Sequence, residues 1–141
     1  MKKITLLFIM FITSLGFSQT FTGATGAIPD NSCAAAHEFP VTVTGVGILG
    51  TTNIFDQVAL DITHTWDSDL DISLIAPDGT TIIDLSSDNG GAFENYTATI
   101  FREDAVTPIT SGSAPFTGTY LPEGDLSTLN GVDADGTWIL R

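Results

Sequence analysis

The sequence predicts an all-β chain, an antiparallel sandwich or barrel, on three observations. Apolar and β-branched residues recur at every second position in several short segments. Turn-forming clusters of Gly, Asn, Asp and Pro separate those segments. Outside the first 18 residues, no window carries an apolar stripe at helical spacing. A period of two marks strands with one buried face, and many short strands with frequent turns imply packed sheets.

The first alternating segment holds Val41 and Val43 between Thr42 and Thr44, with Val46 continuing the pattern. In the second, Val58, Leu60 and Ile62 alternate with Ala59, Asp61 and Thr63. In the third, Leu70, Ile72 and Leu74 alternate with Asp71 and Ser73. Thr97–Phe101 and Thr137–Leu140 are weaker candidates of the same kind. Pro77-Asp78-Gly79-Thr80 lies between two apolar runs and reads as a hairpin turn. Asn89-Gly90-Gly91, Pro122-Glu123-Gly124 and Asn130-Gly131 are further turns, because Gly and Asn tolerate positive φ and Pro fixes the first turn position. Ile28-Pro29-Asp30-Asn31 reads as an entry turn.

Residues 1–18 are expected to be a signal peptide. Lys2 and Lys3 precede an apolar run from Ile4 to Phe17, and Gly16-Phe17-Ser18 places small residues at −3 and −1 of a cleavage site after Ser18. The run is short against the roughly 20 apolar residues of a membrane span. The expected location is therefore secreted or cell-surface, with no membrane attachment of the mature form. Residues 19–40 read as an N-terminal arm and residues 41–141 as the β domain.

The chain carries 17 acids and four Lys or Arg, a net charge of −13. Removing residues 1–18 takes away two cations and no acid, which leaves −15. Such a surface repels nucleic acid and anionic lipid, which proteins bind through Lys and Arg. Cys33 is the single cysteine, so an intramolecular disulfide and a Cys-based zinc site are both excluded.

Several segments in order resemble one family. They are Ile62-Thr63-His64-Thr65-Trp66, Asp69-Leu70-Asp71-Ile72 and Leu74-Ile75-Ala76-Pro77-Asp78-Gly79-Thr80. Asn89-Gly90-Gly91, Asn95-Tyr96, Thr99 and Phe101 follow, then Ala114-Pro115-Phe116-Thr117-Gly118, Pro122-Glu123, Gly131 and Gly136-Thr137-Trp138-Ile139-Leu140. Together they resemble the P domain, or P/Homo B domain, which follows the subtilisin-like catalytic domain in proprotein convertases and occurs in bacterial secreted proteases. The resemblance runs from about Ile28 to Arg141. It implies a jelly-roll β-sandwich of galactose-binding-like type that stabilises or regulates an attached serine endopeptidase. Asp135 replaces the Asn of the closing Asn-Gly-Thr-Trp-x-Leu motif, and Arg102 stands where bacterial members carry an acid after the Phe. The family continues past the Trp-x-Leu strand with an acidic turn and a terminal strand, whereas this sequence stops at Arg141. The expectation is a fragment whose sandwich lacks its last strand.

Catalytic chemistry finds little support. A serine-peptidase triad needs a His base, and only His37 and His64 exist. The subtilisin-type motifs and an HExxH helix are absent. His64 is expected to be half-buried and hydrogen-bonded to a neighbouring loop, and His37 solvated. Asp67, Asp69 and Asp71, at i and i+2, read as acids on one strand face, unlike glycosidase carboxylates that flank a cleft. Trp66 and Trp138 read as core or rim packing. The chemistry that remains is calcium binding. Asp88, Glu94, Glu103 and Asp104, with Asn89, Gly90, Gly91 and Asn95, place oxygen donors on two loops, as a cation with six to eight oxygen ligands requires. Asp67, Ser68 and Asp69 form a second oxygen cluster by the same reasoning, although Asp69 reads better as an acceptor of backbone hydrogen bonds at a turn. The function expected is a non-catalytic accessory domain for a subtilisin-like protease, with a surface adhesion or carbohydrate- or protein-binding module as the alternative.

Overall fold

The hairpin at Pro77–Thr80 organises the first sheet. The computed structural model describes residues 17–28 and 35–141. Most of the signal segment, most of the Ile28–Asn31 turn and Cys33 lie outside the described residues. Strand β3 (Asp71–Ile75) pairs antiparallel with β4 (Ile82–Ser87) across that turn. Gly79 takes φ +69 there, its N–H donates to the Ala76 carbonyl, and Asp78 Oδ1 accepts the N–H groups of Thr80 and Thr81 at 2.9 and 2.8 Å. The side chain closes the turn as short Asp residues do.

β1 (Phe39–Val43) and β7 (Gly136–Leu140) complete this sheet, in the antiparallel order β1-β7-β3-β4. The second sheet holds β2 (Val58–Ile62), β5 (Tyr96–Phe101) and β6 (Phe116–Tyr120), in the order β2-β5-β6. One hydrophobic core draws on every strand, with Val43, Leu60, Ile72, Leu85, Phe101, Phe116 and Trp138 all buried. The protein is thus an all-β sandwich. The alternating segments become β1, β2, β3, β5 and β7; the alternating aliphatics of β1, β2 and β3 turn toward the core, whereas β5 breaks the pattern.

The pairing of β5 with β6 is parallel, which an antiparallel reading does not include. A parallel pair needs a long crossover. Residues 102–115 supply it, through a 3-10 turn at Ile109–Ser111 that buries Ile109. Two irregularities reshape the inner faces. A register shift in the β3–β4 ladder turns both Leu85 and Ser86 inward, each with no exposed surface. In β5, Ala98 takes φ +48 and donates its N–H to Asp61 Oδ1 at 2.6 Å, and the ladder shifts there. Tyr96, Thr99 and Phe101 consequently point inward together. Tyr96 stacks on Phe116 at 4.6 Å between ring centres, and Phe116 meets Tyr120 edge-on at 6.0 Å.

Candidate functional site

Two loops meet where β2 leads to β3 and β4 leads to β5. The first folds as a 3-10 turn, Asp67–Asp69. Asp67, Asp69 and Asp71 therefore do not share one strand face. Asp67 is fully buried, Asp69 and Asp71 are exposed, and the strand starts only at Asp71. The second loop runs through Asp88, Gly90, Gly91 and Asn95, all at positive φ.

Asp67 ties the loops together. Its N–H donates to the Phe93 carbonyl at 3.0 Å, and Ser68 N–H donates to Gly91 at 3.2 Å. Asp67 Oδ1 accepts the Asn95 N–H at 2.9 Å, and Asn95 Oδ1 accepts the His64 N–H at 3.1 Å. The turn-opening acceptor is thus Asp67 rather than Asp69. Asp67 Oδ2 is buried and has no hydrogen-bond partner. Burial pushes the Asp67 carboxyl above its ordinary range. The Asn95 hydrogen bond and the attraction of His64 oppose that rise, and Glu94 adds to it.

A polar network lies behind the loops. Tyr96 Oη and Ser86 Oγ sit 2.9 Å apart inside the core. Asn89 Nδ2 donates to Ser86 Oγ at 2.9 Å and to Glu123 Oε1 at 2.6 Å, and Glu123 Oε1 also accepts the Ser87 N–H at 2.8 Å. Burial raises the Tyr96 phenol above its ordinary range. The Ser86 hydrogen bond works against this, and the negative charges of Asp67 and Glu123 work with it. Trp66 and Phe93 stand out from the two loops, 51% and 68% exposed. Trp138 is core, as expected, with Nε1 donating to the Ala134 carbonyl at 2.9 Å, while Trp66 is largely solvent-facing.

The four predicted calcium ligands are distributed rather than gathered. Asp88 and Glu94 are exposed on the β4–β5 loop. Glu103 Oε2 accepts the Leu126 N–H at 3.1 Å. Asp104 forms a two-pronged pair with Arg102, at 2.8 and 3.2 Å, which holds its carboxyl below the usual range. Arg102 also reaches Asp56 at 3.2 Å, so a cation already occupies that corner. Among the described residues, no three His, Cys, Asp or Glu side chains gather closely enough to hold a metal ion. Asp67 belongs to the second oxygen cluster read from the sequence, with Ser68 and Asp69; what that pattern did not signal is its complete burial.

His64 is half-buried, and its Nδ1 lies 3.0 Å from the Trp66 carbonyl oxygen and 3.2 Å from the Trp66 nitrogen. The neighbouring loop meets its backbone instead, through Asn95. His37, expected to be solvated, is half-buried, and its Nε2 is covered without a partner.

Comparison with known proteins completes the picture. Leupeptin-inactivating enzyme 1 of Streptomyces exfoliatus is 33% identical over 94 residues, which covers 67% of this chain and 20% of that enzyme. The chain thus spans about a fifth of the length of the curated relative it matches. No solved structure matches it significantly. Residues 56–141, more than half of the sequence, match the model of the proprotein convertase P-domain, and the chain belongs to that family.

Proposed function

We propose that this domain is an exported, non-catalytic accessory module that packs against a subtilisin-like serine peptidase and stabilises or regulates it. The observation that carries the reading is the family match over residues 56–141. P domains are associated with subtilisin-like proteases, and the relative from Streptomyces is a far longer enzyme. The architecture supports a scaffold role, because the inward-facing groups of both sheets are spent on one packed core. His64 supports it too, since its Nδ1 is engaged by the backbone of Trp66 in its own loop. Export is supported by the Lys2-Lys3 and Ile4–Phe17 pattern. Among the described residues, no helix is long and apolar enough to cross a membrane.

The test is a thermal-inactivation assay on a subtilisin-like peptidase from the same organism. The peptidase is expressed alone, fused to residues 19–141, and mixed with the separate chain. The expected result is a several-fold longer half-life in the fused form and no peptide cleavage by the separate chain. Equal half-lives in all three preparations, or cleavage by the purified chain, would overturn the reading.

A further inference from the structure

Asp67 is a buried carboxylate with half of its acceptor capacity unused. Oδ1 is engaged by Asn95, whereas Oδ2 is covered by protein and unpartnered. A buried carboxylate that lacks a partner is costly. Its Oδ2 faces the Gly90 turn, 3.4 Å from the point where a residue-90 Cβ would stand. Glu94, on the same loop, is a second carboxylate within its electrostatic reach. After residue 18 the chain holds only two Lys or Arg side chains, Arg102 and Arg141, and Arg102 is paired with Asp104 and Asp56. His64 attracts the Asp67 carboxylate, yet neither it nor any other side chain hydrogen-bonds Oδ2.

From the orphaned Asp67 Oδ2 between the two stapled loops, we infer that a calcium-class cation binds there. Asp67 Oδ2 is the inner anionic ligand and Glu94 the outer one. Backbone carbonyls of the Gly90–Phe93 loop and water complete the shell, since a carbonyl that already accepts one hydrogen bond keeps a second lone pair. Calcium suits this set because it takes oxygen ligands of mixed type in flexible geometry. Among the described residues no three carboxylates gather, so the site is expected to be weak, in the roughly 10⁻⁴–10⁻³ M range of extracellular modules.

Terbium titrated into the full chain, with excitation through tryptophan, tests this, because Trp66 adjoins Asp67. The expected result is saturable emission that calcium displaces with a midpoint near the millimolar range. It is lost in Asp67→Asn and Trp66→Phe, weakened several-fold in Glu94→Gln, and kept in Glu103→Gln and Asp104→Asn. Calcium, but not potassium chloride of equal ionic strength, should raise the melting temperature of the unsubstituted chain. Absence of saturable emission overturns the inference, as does emission that survives Asp67→Asn or is lost only in Glu103→Gln or Asp104→Asn. Should Asp67→Asn fail to fold by circular dichroism, Glu94→Gln at its exposed position decides, and unchanged calcium affinity there overturns it.

Discussion

Gly90 lies directly against Asp67: a Cβ on residue 90 would stand 2.7 Å from the Asp67 Cβ and 2.9 Å from Cε2 of Phe116. Gly90 also takes φ +91. Substitution by alanine therefore meets strain and overlap at once. Positive φ costs an L-residue about 1–2 kcal/mol, and overpacking adds about 1–3 kcal/mol. Gly90→Ala is expected to lose about 2–5 kcal/mol in urea unfolding. Gly91→Ala is the control. It has φ +58 but nothing within 4 Å of the added carbon, so it should lose only the conformational part. Equal losses in the two variants would show that the contact with Asp67 is not close in solution.

The Tyr96–Ser86 contact permits a double-mutant cycle. Tyr96→Phe leaves the ring stacked on Phe116 and removes only the hydroxyl that meets Ser86 Oγ. Ser86 keeps the Asn89 donor. Each single change is expected to cost about 1 kcal/mol, with a coupling of similar size, since a buried hydrogen bond contributes about that much net. Strictly additive losses in chemical denaturation would mean that the two hydroxyls do not bond.

The contrast between β2 and β5 shows what was legible in the sequence. Val58, Leu60 and Ile62 turn toward the core as their alternation predicts, because the register shift between Leu60 and Ile62 puts its extra residue in β5 and not in β2. In β5 the same rule places Thr97 with Thr99 and Phe101, yet Thr97 is exposed and Tyr96 is buried. The positive φ at Ala98 breaks the period, and Ala carries no signal for it. β6 was not foreseen as a strand, since Thr117 and Thr119 are its only β-branched residues and Gly118 sits at its centre. Its parallel register to β5 depends on a crossover whose length and path have no local pattern. At the site, the turn residues Gly90, Gly91 and Asn95 were readable. The burial of Asp67 was not, because an acid before a strand looks the same in sequence whether it faces solvent or a neighbouring loop.

Acid should loosen the β3–β4 turn in a defined window. Hydrogen bonds from the backbone and hydroxyl of Thr81, then from Thr80, hold the Asp78 carboxyl at about 2, below its ordinary value near 3.8. The folded-state value is depressed, so the contribution is present above the unfolded value and fades as pH falls from about 4 through about 2. Asp78→Asn keeps an acceptor oxygen but abolishes the titration. The difference in urea midpoint between the two chains should be largest near neutrality and vanish toward pH 2. A constant difference across that range would rule out the proposed linkage.

The non-catalytic reading predicts that imidazole is dispensable for any effect on a peptidase. A serine-peptidase triad transfers its proton through a His base, and this chain offers only His37 and His64. Replacing both with alanine removes every such base. The structural loss should be small enough to leave the fold intact: His64 contributes a local hydrogen-bonding partner for Trp66, worth about 1 kcal/mol, besides its attraction for Asp67. The His64 backbone N–H, which holds Asn95 Oδ1, is untouched by the change. The doubly substituted domain, fused to its peptidase, is therefore expected to extend the half-life at elevated temperature as far as the unsubstituted domain does. Circular dichroism would confirm that it still folds. A well-folded His37→Ala, His64→Ala chain that no longer protects the peptidase would place an imidazole in the working surface, and packing alone would then not account for the stabilisation.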